Sequence, residues 1–132
     1  MRFARLTAVM AMLLPGLSHA DPLTPRPLDS GTLAALRWQA RPLVVLGEGA
    51  QVEAQIAALM PAAGALRDRD VVLLTEGPGA APLRAQGVAE GFAVLLVGKD
   101  GGIKLMRDSH VDPSEILALI DSMPMRQREA AP

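Results

Sequence analysis

The apolar positions of this chain fall into short blocks with two different periods. Pro42-Leu43-Val44-Val45-Leu46 is a continuous apolar run closed by Gly47-Glu48-Gly49. That is the pattern of a strand buried on both faces. From Gln51 to Met60 the period changes, and Val52, Ile56, Leu59 and Met60 share one helical face. Pro61 lacks a backbone donor and is expected to end or kink this helix. Ala63 and Leu66 extend the stripe. Val71 to Leu74 is a second fully apolar strand, ended by Thr75-Glu76-Gly77-Pro78. Pro82 to Gln86 fits a helical turn, and Phe92 to Val97 a third apolar strand.

The segment from Phe92 to Met125 is the most strongly patterned. Asp100-Gly101 is a dipeptide favoured in two-residue hairpins, where both positions need positive φ. Ile103 to Arg107 alternates apolar and polar as an edge strand should, and Lys104 and Arg107 discourage edge-to-edge pairing. Asp112 is placed to cap the next helix, with Pro113 at its first position and Glu115 completing a capping box. Ile116, Leu119, Ile120 and Met123 form the apolar stripe, and Pro124 stops it.

The expected order is strand, helix, strand, short helix or loop, strand, hairpin, strand, helix. Strands joined through a helix should run parallel, and the hairpin adds an antiparallel edge. This predicts an α/β, thioredoxin-like fold: a small mixed β-sheet (β-α-β-(α)-β-β-α) with helices on its faces. A flavodoxin-like fragment would need more βα units and no terminal hairpin.

The flanks carry less pattern. Arg2, Arg5, the apolar run Leu6 to Leu14, and Ser18-His19-Ala20 read as a signal peptide over residues 1–20, cleaved between Ala20 and Asp21. The apolar run is too short to span a bilayer. With no cysteine after it, lipoprotein anchoring is not expected, and the lack of paired arginines argues against twin-arginine export. Residues 21–31 are proline-rich without apolar period and read as a flexible lead-in. Thr32 to Trp38 fits one helical turn capped by Ser30. The domain is expected over 32–125, followed by a polar tail over 126–132 that frays.

Composition narrows the chemistry. The 132-residue chain has net charge −1, and removing Arg2 and Arg5 makes it more acidic. No general attraction to nucleic acid follows, nor to a membrane after signal cleavage. Beyond the leader the aromatic residues are Trp38 and Phe92, too few for the stacking platforms of single-strand binders. Cysteine is absent, so an exported domain must rely on its apolar core for stability. Heavy use of alanine, arginine, glycine and proline with scarce lysine suggests a bacterial source with a GC-rich genome. The expected location is periplasmic or secreted.

Several segments together resemble a known family. They are Arg37-Trp38, Arg41-Pro-Leu-Val-Val-Leu46, Arg67-Asp68-Arg69-Asp70, Val97-Gly-Lys-Asp-Gly-Gly-Ile-Lys104 and Leu119-Ile-Asp-Ser-Met-Pro-Met-Arg126. The pattern is similar to the domain-of-unknown-function 4174 family, found in small exported bacterial proteins and at the C-terminal end of sushi-repeat-containing extracellular proteins. The resemblance runs from about Thr32 to Arg128. It implies a thioredoxin-like fold and an exported location, and it carries over no catalytic residue.

The site chemistry is defined mainly by exclusion. Thioredoxin-like enzymes hold their reactive cysteine at the N-terminus of the helix after the first core strand, where the helix dipole lowers the thiol pKa. Here that place is Gly47-Glu48-Gly49-Ala50-Gln51, so disulfide exchange and cysteine-based peroxidase chemistry are excluded. Gly91 stands where a cis-proline would precede the third strand. No catalytic residue, metal or cofactor is assigned.

Candidate binding residues are Glu48, Glu76, Arg37, Trp38 and Lys99. Glu48 and Glu76 follow parallel strands, where open α/β sheets gather ligands. They form either an acid–base pair or cation site, or two solvated loop residues. Arg37-Trp38 is either a packing anchor or an exposed hot spot. Lys99, Lys104 and Arg107 form either a basic patch or a charged edge guard. Asp108, His110 and Asp112 have suggestive spacing, but a lone histidine makes a poor transition-metal site. Arg67-Asp68-Arg69-Asp70 reads as a solvated connection. The leading functional reading is a non-catalytic module that binds an unidentified protein or small ligand. The alternative is a non-thiol enzyme using Glu48 and Glu76.

Overall fold

A computed structural model describes residues 23–88 and 90–131. The expected signal peptide, with Ala20 and Asp21 at its cleavage point, lies outside the described residues. The elements are β1 (Arg26–Pro27), α1 (Thr32–Leu36), β2 (Arg41–Leu46), α2 (Ala50–Leu59), a 3-10 turn (Met60–Ala62), α3 (Ala63–Asp68), β3 (Val71–Thr75), α4 (Ala80–Ala85), β4 (Ala93–Val97), β5 (Ile103–Arg107), α5 (Pro113–Asp121) and α6 (Pro124–Ala130). They build a five-stranded sheet in the order β1-β3-β2-β4-β5. β2 pairs parallel with β3, and the β2–β4 and β4–β5 pairs are antiparallel. The fold is the expected α/β thioredoxin-like one.

Period-two side chains explain the layers. Leu43 and Val45 of β2 face a cluster with Val52, Leu59, Leu66, Ile116 and Ile120. Val44 and Leu46 face a second cluster with Leu28, Leu74, Ala80 and Leu83. A central strand covered on both faces has no polar side, which is why its sequence reads as an unbroken apolar run.

Four local expectations are corrected. First, the supposed flexible lead-in is part of the sheet. β1 pairs parallel with β3, Leu28 N–H donates to Thr75 O at 2.9 Å, and Leu23 and Leu28 are buried. Two isolated leucines carry no period, yet each fills a core position. Gly77 lies against the Leu28 backbone so closely that a side chain there would collide with it. Second, Ser30 does not cap α1. Gly31 holds that position at φ 86°, and Asp29 N–H donates to Thr32 Oγ1.

Third, the hairpin loop has three residues rather than two. Gly101 N–H donates to Gly98 O at 3.0 Å, and Gly98 N–H donates to Gly102 O at 2.8 Å. Gly101 takes positive φ (89°) and Asp100 does not, as in a type I turn followed by a left-handed residue. Asp100 serves the turn by its side chain, accepting from Gly102 N–H at 2.9 Å and Lys104 Nζ at 3.0 Å. Fourth, the polar tail forms α6, with Pro124 at its first turn. The capping box of α5 is half made: Asp112 accepts from Ser114 N–H, while Glu115 pairs with Arg107 at 2.8 Å.

One buried polar residue ties α2 to the segment that leads into α5. Gln55 of α2 is fully buried. Its Nε2 donates to Val111 O at 2.9 Å, and its Oε1 accepts from Val111 N–H at 2.8 Å. The amide thereby satisfies both backbone groups of a buried residue between β5 and α5. Gln55→Leu keeps the volume roughly constant but orphans that donor and acceptor. Each buried orphan costs about 1–3 kcal/mol, so urea denaturation of the variant is expected to show a loss of at least about 2 kcal/mol. Unchanged stability would mean that water replaces the amide.

Candidate functional site

The sheet has two poles, and their chemistry differs. At the C-terminal end of β2, Gly47 has φ 105° and packs against the backbone of Gly91 and Phe92. A Cβ on Gly47 would lie 3.0 Å from Phe92 Cα. Gly91 itself has φ 81°. The positions of a redox motif and its cis-proline are therefore filled by glycine backbone in mutual contact.

Glu76 is committed at this pole. Its Oε1 accepts from Gly47 N–H at 2.9 Å and from Arg84 Nη2 at 2.8 Å, while Arg84 also reaches Gly91 O. The carboxylate thus pins the end of β2 to α4 and the loop before β4. Glu48 is exposed beside it, before α2, whose N-terminal cap is Gly49 with no side-chain bond.

The opposite pole, at the N-terminal end of β2, is a lattice of charges. Arg41 is 1% exposed. Its Nη1 and Nη2 meet the two carboxylate oxygens of Glu129 at 3.1 and 3.2 Å, and Nη1 also donates to Arg69 O at 2.9 Å. Its Nε is buried with no acceptor among the described residues. Lys99, whose side chain is 10% exposed, donates from Nζ to Asp70 and Glu129, each at 2.8 Å. Arg69 forks onto Asp121 at 2.7 and 3.0 Å, and Arg126 meets Asp68 at 3.0 Å. Arg69-Asp70 is therefore a working part of the lattice, contrary to its expected role as a solvated connection.

These contacts set the titration of the pole. Burial opposes the charge on Glu129, but its hydrogen bonds to Arg41 and Lys99 outweigh that and hold its pKa below the ordinary value. Burial likewise opposes the charge on Lys99, and its bonds to Asp70 and Glu129 outweigh it and raise the pKa. Arg69 holds Asp121 low chiefly through its hydrogen bonds.

Three of the five candidate residues meet at the hairpin. Trp38 N–H donates to Lys99 O at 2.6 Å. The Arg37 guanidinium lies over Gly101, where a Cβ would come within 2.8 Å of its Nε. Trp38 is 60% exposed and sits at φ 67°. The packing-anchor alternative for Trp38 is thus corrected: the left-handed turn directs the indole outwards. A bulky residue at that φ is a genuine outlier, costing about 1–3 kcal/mol of strain.

The basic-patch alternative is corrected as well. Lys99, Lys104 and Arg107 each hold a carboxylate partner, and Lys99 faces inward. Asp112 is engaged by Ser114, and among the described residues no three histidine or acidic side chains converge for a metal.

Residues 32–129 match the family model of a domain of unknown function, DUF4174. The chain belongs to the DUF4174 family. Among curated proteins, none matches the chain. Solved structures match its fold. A point-mutant thioredoxin from Halobacterium salinarum NRC-1 is 16% identical, with a TM-score of 0.59 over 76% of this chain and 91% of that one. Reduced Plasmodium vivax 2-Cys peroxiredoxin is 16% identical, with a TM-score of 0.55 over 75% and 85%. Trxlp from Edwardsiella tarda EIB202 is 17% identical, with a TM-score of 0.55 over 74% and 98%. At these identities the likeness shows the fold, and this DUF4174 chain has that fold without a cysteine.

Arg41 and Glu129 were missed as candidates. A charge placed directly before an unbroken apolar strand was the available signal for Arg41. For Glu129 the signal was Pro124 followed by good helix formers. No α6 residue is buried, so its charges rather than apolar area dock it on the rest of the DUF4174 domain.

The pH dependence follows from the two shifts. Glu129 is depressed in the fold, so its contribution is present above the ordinary glutamate value of 4.5 and lost as pH falls through its lowered pKa. Lys99 is raised, so its contribution is present below its ordinary 10.5 and lost as pH rises through the raised value. Amide protection in α6, taken relative to intrinsic exchange at each pH, is expected to fall at both extremes. Glu129→Ala leaves buried Arg41 without its carboxylate and is expected to cost about 3 kcal/mol in chemical denaturation, the low end for breaking a buried pair. A loss below about 1 kcal/mol would show that Arg69 O and water suffice.

Proposed function

We propose that this chain is an exported, non-catalytic binding module that presents Trp38 and Arg37 to a protein partner. One observation carries the reading. Trp38 is exposed on a left-handed backbone, with its N–H fixed to Lys99 O. Strain of this kind persists where surrounding structure imposes it and often marks a functional position. Tryptophan and arginine are the side chains most enriched among interface hot spots. The edge strand β5 also exposes Ile103 and Met106, and a partner strand could pair along that edge.

The non-thiol enzyme based on Glu48 and Glu76 has less support. Glu76 is held by Gly47 N–H and Arg84 in a structural role, and Glu48 is an exposed neighbour of a helix start. A periplasmic or secreted location rests on the leader pattern of residues 1–20.

Two measurements test this reading. Trp38→Gly removes the indole and relieves the φ strain, so stability is expected to stay within about 1 kcal/mol of the parent. Proteins captured from envelope extract by the parent chain should be lost with Trp38→Gly and with Arg37→Glu. Equal capture by all three would overturn the surface assignment. The exported protein should have an intact mass beginning at Asp21. A full-length cytoplasmic product would remove the location.

A further inference from the structure

A cleft of about 250 Å³ lies between the β4–β5 turn and the α5–α6 junction. Met123, Pro124 and Met125 form its apolar wall, and Arg41, Lys99, Lys104 and Arg128 its cationic side, with Asp100 as the one lining carboxylate. Arg37 and Trp38 are not among its lining residues, so it is separate from the surface proposed above. The cations are not equivalent. Glu129 and Asp70 engage Arg41 and Lys99, and Asp100 engages Lys104. Arg128 is exposed and its guanidinium makes no ion pair among the described residues. Arg41 keeps a buried Nε–H with no acceptor. The cleft is therefore lined by four cations against one carboxylate, Asp100, which Lys104 already engages, beside an apolar wall of soft, adaptable thioethers.

We propose that this cleft binds a small amphipathic organic anion, with its acid head on the Arg128 guanidinium beside Lys99 and Lys104 and its hydrocarbon body along Met123, Pro124 and Met125. Each half of the ligand follows from one half of the cleft. A free guanidinium presents a fork that matches a carboxylate or phosphate. An apolar wall rewards hydrocarbon, with each buried methylene raising affinity about fourfold. The volume lies just under the ~300–1,000 Å³ of pockets for drug-sized ligands, which restricts the body to a short chain. A neutral chain would leave the cationic side unsatisfied, and a bare inorganic anion would leave the wall exposed to water.

The test is a titration of the isotope-labelled chain, following the Gly98 and Gly102 amides and the Met123 and Met125 methyls. The ligands are octanoate, hexanoate, acetate, octanol and octyl phosphate. Octanoate should shift these signals and bind about fifteenfold more tightly than hexanoate, as expected for two methylenes. Acetate and octanol should each bind at least about tenfold more weakly than octanoate, since each lacks one recognition element. Arg128→Gln changes an exposed residue with no ion pair and should preserve the fold. It should weaken octanoate about tenfold and leave octanol unchanged. Trp38→Gly should leave octanoate binding intact, which separates this site from the partner surface. Tighter binding of octyl phosphate than octanoate would assign a phosphate head, and the reverse a carboxylate head. Equal binding of octanol and octanoate, shifts confined to other residues, or an Arg128→Gln variant that binds octanoate normally would overturn the proposal.

Discussion

The structure depends on one buried charge, Arg41, at the first position of the central strand. Its backbone is fixed on two sides, since β2 pairs with β3 and Arg41 N–H donates to Asp70 O at 2.8 Å. With the backbone so placed, the Arg41 side chain lies buried, at 1% exposure. An unpaired guanidinium in this position would carry a desolvation penalty of several kcal/mol. Glu129 removes the penalty by forking onto both terminal nitrogens. The requirement for that carboxylate draws α6 onto the sheet and brings Lys99 of the hairpin with it.

This constraint orders the pole in sequence-distant pieces. Arg41 comes from β2, Asp70 from the approach to β3, Lys99 from the hairpin, and Asp121 and Glu129 from α5 and α6. Asp70 takes φ 60°, a conformation that aspartate tolerates better than most residues. The hairpin then supplies Lys99 O to the Trp38 N–H and Gly101 as a bed for Arg37. The cleft, the exposed indole and the buried ion pair thus share one structural origin.

The other pole shows how a thioredoxin-like frame is kept without thiol chemistry. Gly47 and Gly91 bring two backbone segments into contact where a side chain would otherwise project. Glu76 and Arg84 then fasten that junction. The cleft and the exposed Trp38 lie at the far end of the same strands, around a turn and a terminal helix.

The chain order of the core elements, the burial of β2 on both faces and the helix stripes were legible in the sequence, because period and local propensity act over a few residues. Absence of thiol chemistry was equally legible, since it depends only on composition. Leu23 and Leu28, the three-residue turn and α6 were not, because each is decided by what it packs against. Glu48 and Glu76 follow the ends of β2 and β3, and only the structure assigned Glu76 to Arg84 and Gly47. Arg41, Glu129 and Gln55 escaped because a polar residue is expected outside until a partner is known. The sequence by itself determined a cysteine-free thioredoxin-like scaffold. The tertiary structure decided which charges are buried and that Trp38 is exposed, because desolvation and ion pairing depend on partners far apart along the chain.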